Sequence, residues 1–343
     1  MLSRTGTTKR TAQSRQEQGE SKVNIRPFNY VNGDYESAIA VENAINPDNP
    51  SSVEGWQHWD QNREEKYLFR RYLAEKEGQV IAVGAIGHTG WSYHPDKYFL
   101  DISVHPQEQG QGIGRAFYRF LVDELEALAP TKLVAFTREN RTRAIRFLEE
   151  RGFAAVMRMP VSRLDPTTFD AGRFARRLAG VEEAGIVVKS LRELSEEDPE
   201  WKRKVYELEW ECAQDVPSPD PLTKQPFAVF EKRSLGSPSL LPDAWFVAVD
   251  GDCYVGLSVL WRNLADDKLL GTGLTGVVRS HRRLGIATAM KVRAIQYAQA
   301  HGITAIDTDN EENNPMFQLN LQLGFVPQPA HLHYEKEVLQ EAT

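Results

Sequence analysis

Cysteine is nearly missing from this 343-residue chain: Cys212 and Cys253 stand far apart, with no C-x-x-C spacing. That excludes a disulfide framework and points to reduced thiols in a cytoplasmic protein. Long apolar runs are missing too. None approaches the roughly 20 residues that span a bilayer, so no membrane partner is expected. An excess of positive charge is also lacking. The net charge is −7, which leaves no basic footprint for nucleic acid. Metal-ligand clusters are absent: His331 and His333 are two apart on one strand face, but no third ligand accompanies them, so no metal is expected. Residues 1–22 are polar, with no apolar segment of the secretory kind. They read as a disordered tail.

What remains is a soluble globular composition, 41% hydrophobic and 26% charged, long enough for two domains. The chain contains one glycine-rich turn twice. The first copy runs from Val104 through Gln109, Gly110, Gln111, Gly112, Ile113 and Gly114 into an apolar helix. The second runs from Val277 through Arg282, Arg283, Leu284, Gly285, Ile286 and Ala287 into another. The step from the valine to Gln109 or Arg282 is five residues in both copies. A Gly-Phe pair follows each, at 152–153 and 324–325. Two copies in register imply one fold used twice. Each half reads as strand, helices, hairpin, strand, glycine turn, helix, strand, helix, strand. That is an α/β fold with a mixed sheet in each half. The halves span residues 23–165 and 185–340, joined by a partly helical linker at 166–184.

A strand that ends in glycines and opens a helix directs backbone N–H groups at the positive end of the helix dipole. That suits a phosphate or pyrophosphate. A P-loop is excluded because neither copy has its lysine. A dinucleotide fingerprint is excluded because Arg115 stands where its third glycine belongs and no acid follows at a later strand end. Arg282 and Arg283 add charge to the second turn. Gln109 replaces Arg282 in the first, which therefore reads as the weaker phosphate grip.

The pattern V-x-P-x-x-[QR]-x-x-G-x-[GA], with a helix ending in Gly-Phe about 40 residues on, resembles the GNAT superfamily of acyl-CoA-dependent N-acetyltransferases. It covers both halves, so the chain resembles a tandem GNAT protein, and its second half is most similar to tandem members of the mycothiol synthase type. The resemblance implies acetyl-CoA as cofactor, with its pyrophosphate on the two turns. It implies that Ile102, Ser103 and Val104, and in the second half Thr275, Gly276 and Val277, pair with the pantetheine arm. Asn314 would contact that arm, although it reads equally as a helix cap. The activity implied is direct acetyl transfer to a small-molecule amine, in a monomer or homodimer.

Attack requires a neutral amine, so a base must take a proton. Asp101, three residues before Val104 and on the same strand face as Ser103, is the candidate. The position four before the Gly-Phe glycine, where the family carries an acidic tyrosine, holds Leu148 in one half and Asn320 in the other. Asn320 is a candidate hydrogen-bond donor to the leaving sulfur. The missing tyrosines keep a second reading open, a non-catalytic acyl-CoA-binding protein. Trp56, His58, Trp59 and Trp91, with Trp210, Glu211 and Asp215 from the second half, are candidates for an acceptor pocket suited to a cationic or polar amine.

Overall fold

The computed structural model describes residues 23–31 and 33–338. The tail at 1–22 and the last residues of the second half lie outside the described residues. The first half runs β1 (Asn24–Pro27), α1 (Asp34–Ile45), α2 (Val53–Gln61), β2 (Phe69–Lys76), β3 (Gln79–Gly87), β4 (Lys97–Val104), α3 (Ile113–Glu126), β5 (Lys132–Arg138), α4 (Thr142–Glu149) and β6 (Ala154–Leu164). The linker folds into short 3-10 turns and α5 (Ala175–Glu183). The second half repeats the order. It runs β7 (Val187–Ser190), α6 (Leu191–Glu197), α7 (Trp201–Ala213), α8 (Phe227–Phe230), β8 (Leu240–Asp250), β9 (Cys253–Arg262), β10 (Leu269–Val277), α9 (Ile286–Ala300), β11 (Ala305–Asp309), α10 (Pro315–Leu323) and β12 (Val326–Glu337).

Local sequence explains these elements. Glu77 and Gly78 both take positive φ, 54° and 79°, as a two-residue hairpin turn between β2 and β3 demands. Helix α3 buries Ile113, Phe117, Leu121 and Leu125, one residue per turn, against the sheet. Helix α9 is buried nearly all round, since the sheet covers one side and the linker the other. Residues 191–213 form two helices rather than one, because Pro199 follows the C-cap of α6, Asp198, and cannot continue it.

All twelve strands join one sheet, in the order β1-β2-β3-β4-β5-β12-β6-β11-β10-β9-β8-β7. The order is the same from either end once β1–β5 are matched to β7–β11 and β12 to β6, which is a pseudo-two-fold. It also shows an exchange that the repeat pattern does not display. Strand β6 of the first half pairs with β11 and β12, both of the second half. Strand β12 pairs with β5 and β6, both of the first. Each half completes its sheet with the other's final strand.

Candidate active site

Strands β4 and β5 pair only at Lys97–Phe99 with Lys132–Val134 and then part. The gap opens a cleft of about 830 Å³, lined along one wall by Leu100–Val104 and along the other by Ala135–Thr137. The first glycine turn closes its end. Gly110 and Gly112 both take φ +86°, a left-handed conformation that a side chain resists. Gly112 caps α3 without any side-chain hydrogen bond, which leaves the first backbone N–H groups of that helix directed at the cleft. Gln109, Gly110, Gly112 and Gly114 line it. Gln111 is exposed and accepts from Lys76 at 3.4 Å, while the Ile113 side chain enters the core.

Gln109 and Arg282 share one task. Gln109 Nε2 donates to the Val104 carbonyl at 3.0 Å, and Arg282 Nε donates to the Val277 carbonyl at 3.0 Å. The remainder of the Arg282 guanidinium is ion-paired with Asp215, as is Arg279. These two guanidiniums hold the Asp215 carboxyl down to about 2. Much of the charge that Arg282 offers by sequence is therefore taken up by Asp215. The second turn's Arg279 and Arg282 share a carboxylate. At the first turn, Arg143 Nη1 lies 3.4 Å from where a Cβ on Gly110 would stand, and Arg115 Nη2 lies 3.5 Å from that of Gly112. Neither has a carboxylate partner among the described residues.

The second turn is also crowded. Arg283, at the position of Gly110, is forced to φ +67°. Helix α5 packs on Gly285, whose Cβ position lies 3.5 Å from Val181 and 3.7 Å from the Arg177 carbonyl. Gly276 touches Cys212 so closely that a Cβ would fall 2.6 Å from it. Thr275 shares a hydroxyl hydrogen bond of 3.0 Å with Ser258. Ile286 is buried, Ala287 packs on the core beside it, and Leu284 is exposed. Asn314 caps α10, accepting from Met316 N at 2.9 Å. Asn320 has no exposed surface, and its amide donates to Asn310 at 2.6 Å. It is enclosed by protein and lines neither the cleft nor the cavity described below.

A second cavity, of about 750 Å³, lies between the halves. The first half supplies Trp59, Arg63, Glu64, Phe69, Trp91 and Phe99, and the second supplies Tyr206, Glu209, Trp210, Lys224 and Arg233. The segment after α7 is docked onto the first half. Asp220 pairs with the buried Lys97 at 2.6 Å, and Thr223 N donates to the Trp91 carbonyl at 2.8 Å. Of the aromatic candidates, Trp59, Trp91 and Trp210 line this cavity. Trp56 instead packs under Arg71, and His58 bonds the Arg233 carbonyl at 3.1 Å. Glu211 is exposed away from it, and Asp215 belongs to the second turn.

Asp101 and Phe136 line both spaces, so the cleft and the cavity meet at Asp101. The Asp101 side chain is reached by solvent from the cavities but enclosed by protein, and this loss of solvation raises its pKa. Glu42 of α1 reaches toward the same strand, beside Ser103. Its carboxyl is raised by burial first and by the Asp101 charge second. Glu209 is a third perturbed carboxyl. Its Oε2 is buried without a partner, and burial alone pushes it up to about 7. Sequence reasoning missed Glu42, Glu209, Arg63 and Arg233. None belongs to a motif, and only the packing of helices on the sheet brings them to the site.

The fold and the paired glycine turns define an acyltransferase class, and the profile of the acetyltransferase (GNAT) family matches residues 35–153 and 202–325. The chain belongs to that family, whose members use acyl-CoA. A tandem GNAT protein from the clavulanic acid biosynthesis pathway superposes with TM-score 0.72 at 18% identity, over 94% of this chain and 100% of the other. A GCN5-related N-acetyltransferase from Sphaerobacter thermophilus gives TM-score 0.63 at 18% identity, over 92% and 95%. These likenesses establish the shared tandem fold. No curated protein matches the chain in sequence. No helix among the described residues is long and apolar enough to cross a membrane.

Proposed function

We propose that the protein transfers an acetyl group from acetyl-CoA to the amine of a small molecule, and that the first half carries the chemistry. The observation that supports this is the position of Asp101, where the glycine-ended cleft meets the cavity between the halves. Gly110, Gly112 and the free N–H groups of α3 would hold the pyrophosphate, with Arg115 and Arg143 beside it. The parted edge of β4, Ile102 to Val104, would pair with the pantetheine arm. Acetyl-CoA supplies a thioester carbonyl at the mouth of the cleft. Asp101 would take the proton of the attacking amine as the C–N bond forms, the C–S bond breaks and coenzyme A leaves as its thiolate, which takes its proton from solvent. A carboxyl with a raised pKa is the stronger base once ionised, which suits that task. No cysteine lines the cleft or the cavity between the halves, so attack is direct and needs no acyl-enzyme.

The experiment is thiol release from acetyl-CoA with a panel of primary amines, for the wild type and for Asp101→Asn. A base in general acid–base catalysis contributes about 10²–10⁴-fold, and the variant should lose that much. Binding of acetyl-CoA without thiol release from any amine would favour the alternative, a non-catalytic acyl-CoA-binding protein. Leu148 at the tyrosine position is the observation behind that alternative.

A further inference from the structure

We infer that the acceptor carries a carboxylate as well as its amine, the two separated by an apolar spacer, and that Arg233 with Arg63 binds the carboxylate. This rests on the acetyl-transfer reading for the role of the amine, and the carboxylate site stands on its own geometry.

The cavity between the halves has two chemically different ends. At one end is Asp101, on β4. At the other, Arg63 stacks over the Phe69 ring at 3.7 Å and Arg233 over Trp59 at 4.2 Å. The Arg233 side chain has no hydrogen-bond partner among the described residues, and its Nε is buried and unsatisfied. Burial lowers its pKa, and the neighbouring Arg63 charge lowers it further. Two like charges converge there with little to neutralise them. Asp60 is shared between Arg63, at 3.2 Å, and Arg71, at 2.8 Å. Glu64 lines the same cavity and its charge partly offsets that of Arg233, but it is paired with Lys66 at 2.9 Å and bonds neither guanidinium. A half-buried guanidinium whose Nε is left without an acceptor is costly, and a carboxylate is the group its planar fork fits.

Between the ends lies an apolar floor. Phe69 and Phe99 face each other across Gly87, their ring centroids 6.1 Å apart. Phe69 is two strands from β4, and Phe99 is two residues from Asp101. Strand spacing and rise therefore put the backbones of Asp101 and Phe69 roughly 12 Å apart. An α-amino acid, with its two charges about one carbon apart, is too short to satisfy both ends at once. An ω-amino acid or an amine with an aromatic acid body has the required reach.

The test compares 6-aminohexanoate with its neutral amide, 6-aminohexanamide, as acceptors in thiol release. The acid should be preferred, and Arg233→Met should lower kcat/KM for the acid by about 10-fold or more and for the amide by much less, so that the preference collapses. Methionine keeps an apolar stem on Trp59, and Arg233→Lys should recover part of the preference. Binding of the unreactive 6-acetamidohexanoate, followed by calorimetry and by Trp fluorescence, should show the same dependence on Arg233 with no turnover involved. Equal use of acid and amide, or binding of the acid unchanged in Arg233→Met, overturns the inference. Failure of every amine to release thiol, with carboxylate binding still dependent on Arg233, overturns the transferase reading and leaves the carboxylate site standing.

Discussion

Replacing Glu209 by Gln should stabilise the folded protein at pH 8 and do nothing at pH 4. Glu209 has one oxygen buried without a partner and a carboxyl pushed up to about 7 by burial alone. In the unfolded chain the same group ionises near pH 4.3. At or below that pH both states hold the proton and the site is neutral to stability. As the pH rises the unfolded state ionises freely and the folded state does not, so stability falls until the pH passes about 7. The full difference corresponds to a few kcal/mol at most, on the order of 3. Glutamine has the same shape and no charge to bury. Urea unfolding of the wild type and of Glu209→Gln across pH 4–8 reads the effect directly. The two curves should coincide at the acid end and separate steadily toward neutrality. A gain that is the same at every pH would mean that charge is not its cause, and no gain at pH 8 would refute the buried-carboxyl argument. The functional counterpart is a rise in KM for the amine, since an uncompensated carboxylate in the acceptor cavity is a partner for an ammonium.

The neighbouring carboxyls of Glu42 and Asp101 give a second expectation. Glu42→Gln keeps the side-chain shape beside Ser103 and fixes the partner as neutral, so it should retain activity and remove one of the two carboxyl ionisations, both above the ordinary carboxylate range, from kcat/KM against pH. The glycine turns give a third. Gly112→Glu and Gly285→Glu impose the same left-handed strain, at φ +86° and +87°, and each should cost about 1–2 kcal/mol in stability. Only Gly112→Glu should abolish acetyl-CoA binding by calorimetry; loss of binding in Gly285→Glu alone would place the cofactor in the second half.

The glycine turns were legible because backbone geometry dictates residue type there. Only glycine takes φ near +86° at no cost, so Gly110 and Gly112 announce a strand-to-helix turn in one dimension. Asp101 was legible because strand alternation places it relative to Val104. The electrostatics were not legible. Arg282 read as a free cation because Asp215, 67 residues away, appears only when α7 packs beside the second turn. Glu42 sits on a helix with no motif around it, and the wall of the acceptor cavity comes from residues more than a hundred positions beyond the strands it faces. The strand exchange was invisible for a different reason. Strands β6 and β12 occupy equivalent places in the repeat and pair with each other, so either assignment to a half satisfies the pattern.

That exchange bears on why the fold is doubled. Cut apart at the linker, the first half would lose β12, which pairs with β5 along His331–Glu337, and would hold a β6 with no partner of its own. The open β5 edge is a template for aggregation. The first half would also lose the wall carrying Glu209 and Arg233, so its acceptor cavity would be open to water. Residues 23–165 expressed alone should therefore aggregate and release no thiol, while co-expression with residues 166–338 should restore a soluble, active pair through the exchanged strands. A soluble and active first half would show that the second is dispensable. Restoration on co-expression would show that the second half, whose own turn is packed against α5, serves by completing the sheet and the acceptor cavity of the first.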